Sequence, residues 1–472
     1  MRKPREAEAF REYERVLRYR KSEHVIWEQL GNLAQVAFVF PNSYEVASSS
    51  LAWSWVQQLL WREGVGVERF FYEPWFKKFY SMESQRPIDE FPIWMFTFQF
   101  ENDLLNIANL LIRKKIPLRA SDREEFHPII FIGGPVTLFN PRIVSEIADV
   151  VYVGDFECAV SRVAAVIKEF QRIGRTNVIE ELAKLDQVLS KVAGKESFKS
   201  CISPLEDVPV AHYTTPYSVF KNKLLIEVGR GCIRRCAFCV TGYTKKPVKF
   251  ANVNRVREVL LKHRDREFGL ISATITDYPY LDELLETIES EGIKFSVSSL
   301  RVDGVTERLL KLLKETEHYS FTIAPEGISQ KMRDVMLKDL NTAEILSGLK
   351  LARDVGFYNV KMYFIIGLEE ETEDDYRELF DLLSETLRMG YRRITLSVNP
   401  LVPKPCTPFY ERSMISKKEY EERLKYIKKN VPKDVLLEAE SYKECYLQYQ
   451  ISKLKDEETL EFLKEHLDKT ER

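Results

Sequence analysis

The chain has 472 residues, 44% hydrophobic and 30% charged, with 70 basic and 72 acidic residues that leave a net charge of −2. That length holds two or three domains, the composition is that of a globular protein, and the near-zero charge excludes a global pull toward nucleic acid or anionic membrane. No apolar run reaches eighteen residues, so no membrane span is expected, and the charged start MRKPREAEAFREYERVLRYRKSEH lacks the apolar core of a secretory leader, which makes the cytoplasm the expected location.

Residues 1–32 read as a helical arm. Over 33–173, short apolar strands alternate with helices: AQVAFVF before LAWSWVQQLLWREG, then VGVERFFYEP, then IWMFTFQF before NDLLNIANLLIRKK, then PIIFIGG, then ADVVYVGDFE before AVSRVAAVIKEFQR. Such alternation predicts a parallel sheet with helices on both faces. Ligands in open sheets of this kind sit at the carboxyl ends of strands, here Pro41-Asn42-Ser43, Gly133-Gly134-Pro135 and Gly154-Asp155. The same residues also serve as plain tight turns, for which glycine is sterically cheap. The periodicity weakens over 174–215, which reads as a linker. From 216 to 412 it resumes with six strand candidates, KLLIEVG, GLISATIT, KFSVSSL, YSFTIAP, VKMYFIIG and RRITLSVNP, separated by amphipathic helices. Six βα units predict a partial barrel, a (β/α)6 sheet short of the eight units of a closed TIM barrel. Residues 413–472 are Lys- and Glu-rich and read as a helical segment.

Three of the seven cysteines fall within GRGCIRRCAFCVTGY, directly after the first barrel strand. The spacing of Cys232, Cys236 and Cys239 is Cys-x3-Cys-x2-Cys. In a long intracellular chain this points to metal or redox chemistry and not to a disulfide framework. Three thiolates on a four-iron cluster leave one iron open for a chelating ligand. Phe238 supplies an apolar wall beside the last cysteine. A zinc site is the alternative, but neither a second Cys-x2-Cys nor a His-x3-5-His follows.

The segment CIRRCAFC resembles the signature of the radical S-adenosylmethionine (SAM) superfamily. The resemblance implies a [4Fe–4S] cluster that reduces SAM, cleaves it to methionine and generates a 5′-deoxyadenosyl radical that takes hydrogen from a substrate. It places SAM contacts at Thr274 and Thr276, where the family more often has glycines and a glutamate. Further contacts fall at Ser298 and Arg301 after the third strand, at Glu326 in APEG, at Ile365 in YFIIGLEE and at Val398 in VNPLV. Glu370 also matches the YFIIGLEE motif, with an ordinary first-turn acid as its other reading. Residues 34–410 resemble a narrower group whose amino-terminal domain is Rossmann-like and cobalamin (B12)-binding-like, carried here by FPNSYEVASSSLAW, IGGPVTLFNP, TIAPEG and VNPLVPKPCTPF. That resemblance admits cobalamin as a further cofactor, although none of the six histidines stands in an Asp-x-His-x-x-Gly motif.

Cys158, Cys201, Cys406 and Cys445 do not cluster, so a second cluster would need thiolates gathered from afar. Cys406, in PKPCTPF beyond the sixth strand, is a candidate catalytic thiol, with simple burial as its plain reading. Arg234 and Arg235 are candidates for balancing cluster charge or docking a reductant such as flavodoxin or ferredoxin. The expected substrate is a small molecule or lipid in preference to RNA, since no nucleic-acid module is recognisable. RNA or protein modification and a non-catalytic iron–sulfur or corrinoid-binding scaffold stand as the alternatives.

Overall fold

Val36–Phe40 (β1), Val67–Phe71 (β2), Ile93–Thr97 (β3), Ile129–Gly133 (β4) and Val150–Tyr152 (β5) are buried at almost every position, the pattern of strands covered on both faces. In the computed structural model, which describes residues 4–28, 35–297, 300–316 and 320–467, they form one parallel sheet in the order β2-β1-β3-β4-β5. A sixth strand, Val188–Leu189 (β6), adds antiparallel to β5. The chain divides into two units. Unit 1 is Met1–Ser203 with Pro209–Leu224 and Leu454–Arg472; unit 2 is Pro204–Val208 with Leu225–Lys453.

In unit 1 the helix Pro4–Ser22 is tied to the sheet through Arg69, which is fully buried. Arg69 pairs with Glu23 at 2.6 Å and Glu83 at 2.7 Å and lies over the rings of Trp53 and Tyr213. Both charges of such a pair must be held in place, since removing one leaves the other buried and unpaired.

Two expected boundaries shift. Residues 174–215 are not a free linker. Helix Phe170–Ala183 runs through a kink at Gly174 (φ +76), Arg175 pairs with the buried Asp149 at 2.6 Å, and β6 extends the sheet. The kink breaks the helical period, which is why the sequence pattern fades there. A disulfide between Cys158 and Cys201 also closes this region. It pairs two of the four cysteines that stand scattered in the sequence, and a bridge across 43 residues leaves no spacing signature.

Unit 2 carries the barrel strands. Leu224–Glu227 (β7), Phe268–Ile271 (β8) and Phe295–Val297 (β9) lie in the order β9-β8-β7. Ser320–Glu326 (β10), Asn359–Ile366 (β11) and Arg393–Pro400 (β12) follow in sequence as parallel neighbours, with an unbroken register between β11 and β12. The Leu300 N–H donates to the Thr322 carbonyl at 3.0 Å and joins the two sheets. The helices between strands start on reciprocal caps, Asn341 with Glu344 and Thr372 with Asp375.

The carboxy-terminal region is not purely helical. Val435–Ala439 (β13) adds a seventh parallel strand beside β12, its five residues hidden in a Lys- and Glu-rich context. Helix Thr459–Leu467 belongs to unit 1, where the preceding Asp456 pairs with Lys191 at 3.1 Å.

Candidate active site

The cysteines sit where β7 ends. After β7 the chain makes a short antiparallel pair, Gly229–Arg230 with Lys249–Phe250, and folds tightly back on itself. A side chain at Gly231 (φ +89) would strike the Lys245 carbonyl, and one at Gly242 would strike the Arg234 carbonyl. Glycine is therefore required at both positions. Cys236 is buried, and Cys232 and Cys239 are half-buried. The Ala237 N–H donates to the Met336 carbonyl at 2.8 Å, and the Ala237 carbonyl accepts from the Phe409 N–H at 3.1 Å. Arg234 pairs with Asp277 at 2.9 Å and Asp339 at 3.1 Å. It thus pins the loop to the end of β8, and Arg235 is the exposed one of the two arginines.

Burial pushes the Cys236 thiol up; Lys338 and Arg301 pull it down, and the neighbouring thiols of Cys239 and Cys232 push it up again. Three thiols and two cations therefore share one small region. The thiolates of a multi-iron cluster each take a separate iron. The donor set fits a cluster held along the loop, with the half-buried Phe238 beside it and cations to offset its charge.

The strands define which residues face the barrel interior. Along β11, Val360, Met362, Phe364 and Ile366 are buried, and Lys361, Tyr363 and Ile365 are partly open. Along β10 the open set is Thr322, Ala324 and Glu326. Along β12, Thr395 and Asn399 are partly open, and Ile394, Leu396, Ser397 and Val398 are buried. Val398 is therefore corrected. It has no exposure and lies on the covered face, with the Tyr420 hydroxyl donating to its carbonyl at 3.2 Å. The next residue, Asn399, stands in register with Ile365 and has a buried Oδ1 that meets no hydrogen-bond partner. Strand alternation was the signal that would have separated the two.

The other expected contacts divide. Thr274 Oγ1 lies 4.0 Å from Cys232 Sγ, so it is beside the cluster loop. Thr276 Oγ1 is buried without a partner, and its side chain fills the space that a Cβ at Gly304 would need. Ser298 lies outside the described residues. Arg301 is buried and engaged: it pairs with Asp303 at 2.9 Å and donates to the Lys338 carbonyl at 3.0 Å and the Asp339 carbonyl. It positions the 336–340 turn against the cysteine loop.

Glu326 ends β10 in the left-handed region (φ +65), after a register shift from Ile323. Burial pushes its carboxyl up to about 7, with Lys338, 3.8 Å away, opposing. Glu370 makes a bidentate pair with Arg412 at 2.7 and 2.8 Å. The neighbouring Glu371 orders the turn after β11, accepting from the Gly367 N–H at 2.6 Å, the Leu368 N–H at 3.0 Å and the Tyr376 hydroxyl at 2.7 Å. Cys406 is exposed and left-handed (φ +64), three residues before Phe409 meets the cysteine loop. Cys445 is buried and donates to Glu440 at 3.4 Å, so the cysteines outside the trio do not gather into a second site among the described residues.

At the carboxyl edge of the unit 1 sheet, the chain fills its own crevices. A Cβ at Gly134 (φ +123) would lie 2.6 Å from the Phe98 carbonyl oxygen, and one at Gly154 (φ +136) would lie 2.8 Å from that of Cys201. Asn42, after β1, donates to Asp103 at 2.9 Å, and Tyr44 stacks on Tyr19 beside Phe71 and Tyr217.

Two family models match the chain, one described as radical SAM proteins, N-terminal, over residues 63–189, and one as the radical SAM superfamily, over 226–383. An uncharacterised protein of Methanocaldococcus jannaschii is 29% identical over 413 residues, 85% of this chain and 84% of that protein. The ribosomal protein uS12 methylthiotransferase RimO of Clostridioides difficile is 23% identical over 223 residues, so the match spans 48% of RimO and 44% of this chain. Among solved structures, the radical SAM methyltransferase TsrM of Kitasatospora setae, held with tryptophan and a SAM analogue, gives a TM-score of 0.57 at 13% identity, over 79% of this chain and 75% of TsrM. The cobalamin-dependent radical SAM enzyme OxsB, with aqua-cobalamin and SAM bound, gives 0.53 at 14% identity, over 90% of this chain and 63% of OxsB. At these identities the likeness to TsrM and OxsB is one of fold.

Proposed function

The chain belongs to the radical SAM superfamily, and from that premise we propose that Cys232, Cys236 and Cys239 hold its [4Fe–4S] cluster and that the interior face of β10–β12 holds SAM. When bound, the cluster supplies one electron to SAM, from which methionine and a 5′-deoxyadenosyl radical result, and that radical takes hydrogen from the substrate. The observation that carries the assignment is the three thiols on one strand-end loop, two of them half-buried and one buried.

The chain's own residues bind and orient. Glu326 accepts the ribose hydroxyls. Asn399 and Ile365, side by side in register, offer an amide acceptor and an apolar flank, a combination that suits the amino edge and flat face of adenine. Thr274 lies beside Cys232, and Thr276, packed against Gly304, offers an unpartnered buried hydroxyl. Phe238 keeps water from the last thiolate, and the exposed Ile233 and Arg235 form the approach for a reductant of the flavodoxin or ferredoxin type. No helix among the described residues is long and apolar enough to cross a membrane, and the substrate we favour is a small molecule.

A cobalamin-binding role for unit 1 rests on the fold likeness to OxsB. At its sheet edge Gly134 and Gly154 let neighbouring backbone approach closely, and Tyr44 stacks on Tyr19. No step is assigned to that group.

Anaerobic reconstitution with iron, sulfide, dithionite and SAM tests the reading. The wild type is expected to release 5′-deoxyadenosine and methionine, and the triple Cys→Ala variant neither. A reduced wild type that binds SAM but never cleaves it, even with cell extract added, refutes the assignment.

A further inference from the structure

Unit 1 holds a cavity of about 700 Å³ lined by Glu8, Arg11, Pro74, Trp75, Lys77 and Arg113. That size falls within the range of small-ligand sites. Its walls are fixed from two sides. The buried Glu12 carboxylate accepts the backbone N–H groups of Lys77, Lys78 and Phe79 and clamps the 74–79 loop to helix Pro4–Ser22. Arg113 donates to the Phe76 carbonyl at 3.0 Å and ties the same loop to helix Asp103–Arg113. Trp75 meets Phe76 edge-on at 4.7 Å, which sets its ring direction, and it remains 44% exposed.

The lining combines an exposed indole with three cations and one acid. Lys77 pairs with Glu8, so Arg11 and Arg113 supply the positive excess. An apolar ligand would gain nothing from those guanidiniums, and a bare phosphate would gain nothing from the indole. A flat ring that carries an anion uses both, since bases stack on aromatic side chains and arginine matches phosphate oxygens.

We propose that this cavity binds a nucleoside phosphate, its base stacked on Trp75 and its phosphate against Arg11 and Arg113. The ligand is either a free nucleotide or the phosphorylated end of an RNA strand, and the chemistry at the cavity is the same.

Equilibrium dialysis of the reconstituted full chain with UMP, uridine and a 5′-phosphorylated oligouridylate tests this. A pyrimidine keeps the probe away from an adenosyl site. UMP is expected to bind at least tenfold tighter than uridine, and its binding is expected to weaken with added salt. W75A and R11E are each expected to weaken UMP binding by about tenfold, within the range for a lost base stack, while 5′-deoxyadenosine formation stays unchanged. Both positions are at the surface, and matching melting curves confirm that the variants fold. Oligouridylate bound tenfold tighter than UMP identifies an RNA end as the source; equal affinities identify a free nucleotide. Equal binding of UMP and uridine, or UMP binding within twofold of wild type in both variants, overturns the proposal.

Discussion

Glu326 combines two unfavourable features, a left-handed backbone (φ +65) and a carboxyl that is only 17% exposed and pushed up to about 7 against an ordinary 4.5. The consequence is a fold that loses stability as pH rises. Between about 4.5 and 7 the folded chain keeps a proton that the unfolded chain has released, so unfolding gains ground across that window and the loss is complete above it. The full shift is worth about 3 kcal/mol, of which about 1 is already spent at pH 5. Glu326→Gln removes the titration but keeps the shape. In the cluster-free protein, the stability of the variant relative to wild type should therefore rise by about 2 kcal/mol between pH 5 and pH 8.5. For a unit of this size that is about 4–8 °C in melting temperature, readable by calorimetry on the unit 2 transition. The same variant, once reconstituted, should bind SAM at least tenfold more weakly, because a charged acceptor is lost. A relative stability that is flat or falls with pH, or SAM binding at wild-type strength, would refute the reasoning.

Three further outcomes are expected. Asn399→Leu keeps the side-chain shape and removes the unpartnered acceptor; equilibrium dialysis of the reconstituted protein should show SAM binding weakened about tenfold, one lost hydrogen bond's worth, while Val398→Ala should change stability more than SAM affinity. Cys158→Ser opens the bridge to Cys201 and should lower unit 1 stability by about 2–4 kcal/mol in denaturant titrations, with thiol reductant reproducing the loss in wild type only. Gly134→Ala places a Cβ against the Phe98 backbone at a left-handed position and should cost about 1–3 kcal/mol, measured by the same titration, without altering cluster absorbance.

The βα alternation was legible because each strand is short, apolar and bounded by turn residues, and the cysteine trio stands out because its members are close together in the chain. What stayed hidden depends on space rather than on spacing. Val398 and Asn399 are neighbours in sequence, and only the pairing with Ile365 and Phe364 on β11 decides which one faces inward. A single-residue offset exchanges the two faces of a strand. Arg301 matched a family position, yet its guanidinium serves the 336–340 turn, a use that no motif encodes. Lys338, which sits between Glu326 and the thiols, belongs to no motif at all. β13 is the single five-residue run VLLEA, too short to stand out from the Lys- and Glu-rich helical sequence on either side of it.

The strained residues of unit 2 then say where its stability is spent. Besides Leu205, the unit 2 residues Glu326, Leu337, Asp339 and Cys406 hold positive φ without being glycine. Each costs about 1 kcal/mol or more. They are scattered over eighty residues of sequence but converge on the segments that hold the cysteine loop: Met336 accepts from Ala237, Asp339 pairs with Arg234, and Phe409, just past Cys406, donates to Ala237. On the proposed assignment, a loop that presents three thiols and leaves an approach to a fourth iron cannot be stabilised by packing over its open side. It is fixed instead from beneath, by backbone hydrogen bonds whose carbonyls and amides are aimed by left-handed turns. Relieving one of these turns, for example by Leu337→Gly, should raise unit 2 stability slightly if the strain is local. Cluster occupancy after reconstitution should stay the same, because the Met336 carbonyl keeps its place. A drop in occupancy would instead mean that the side chain of Leu337, and not the turn, holds the loop.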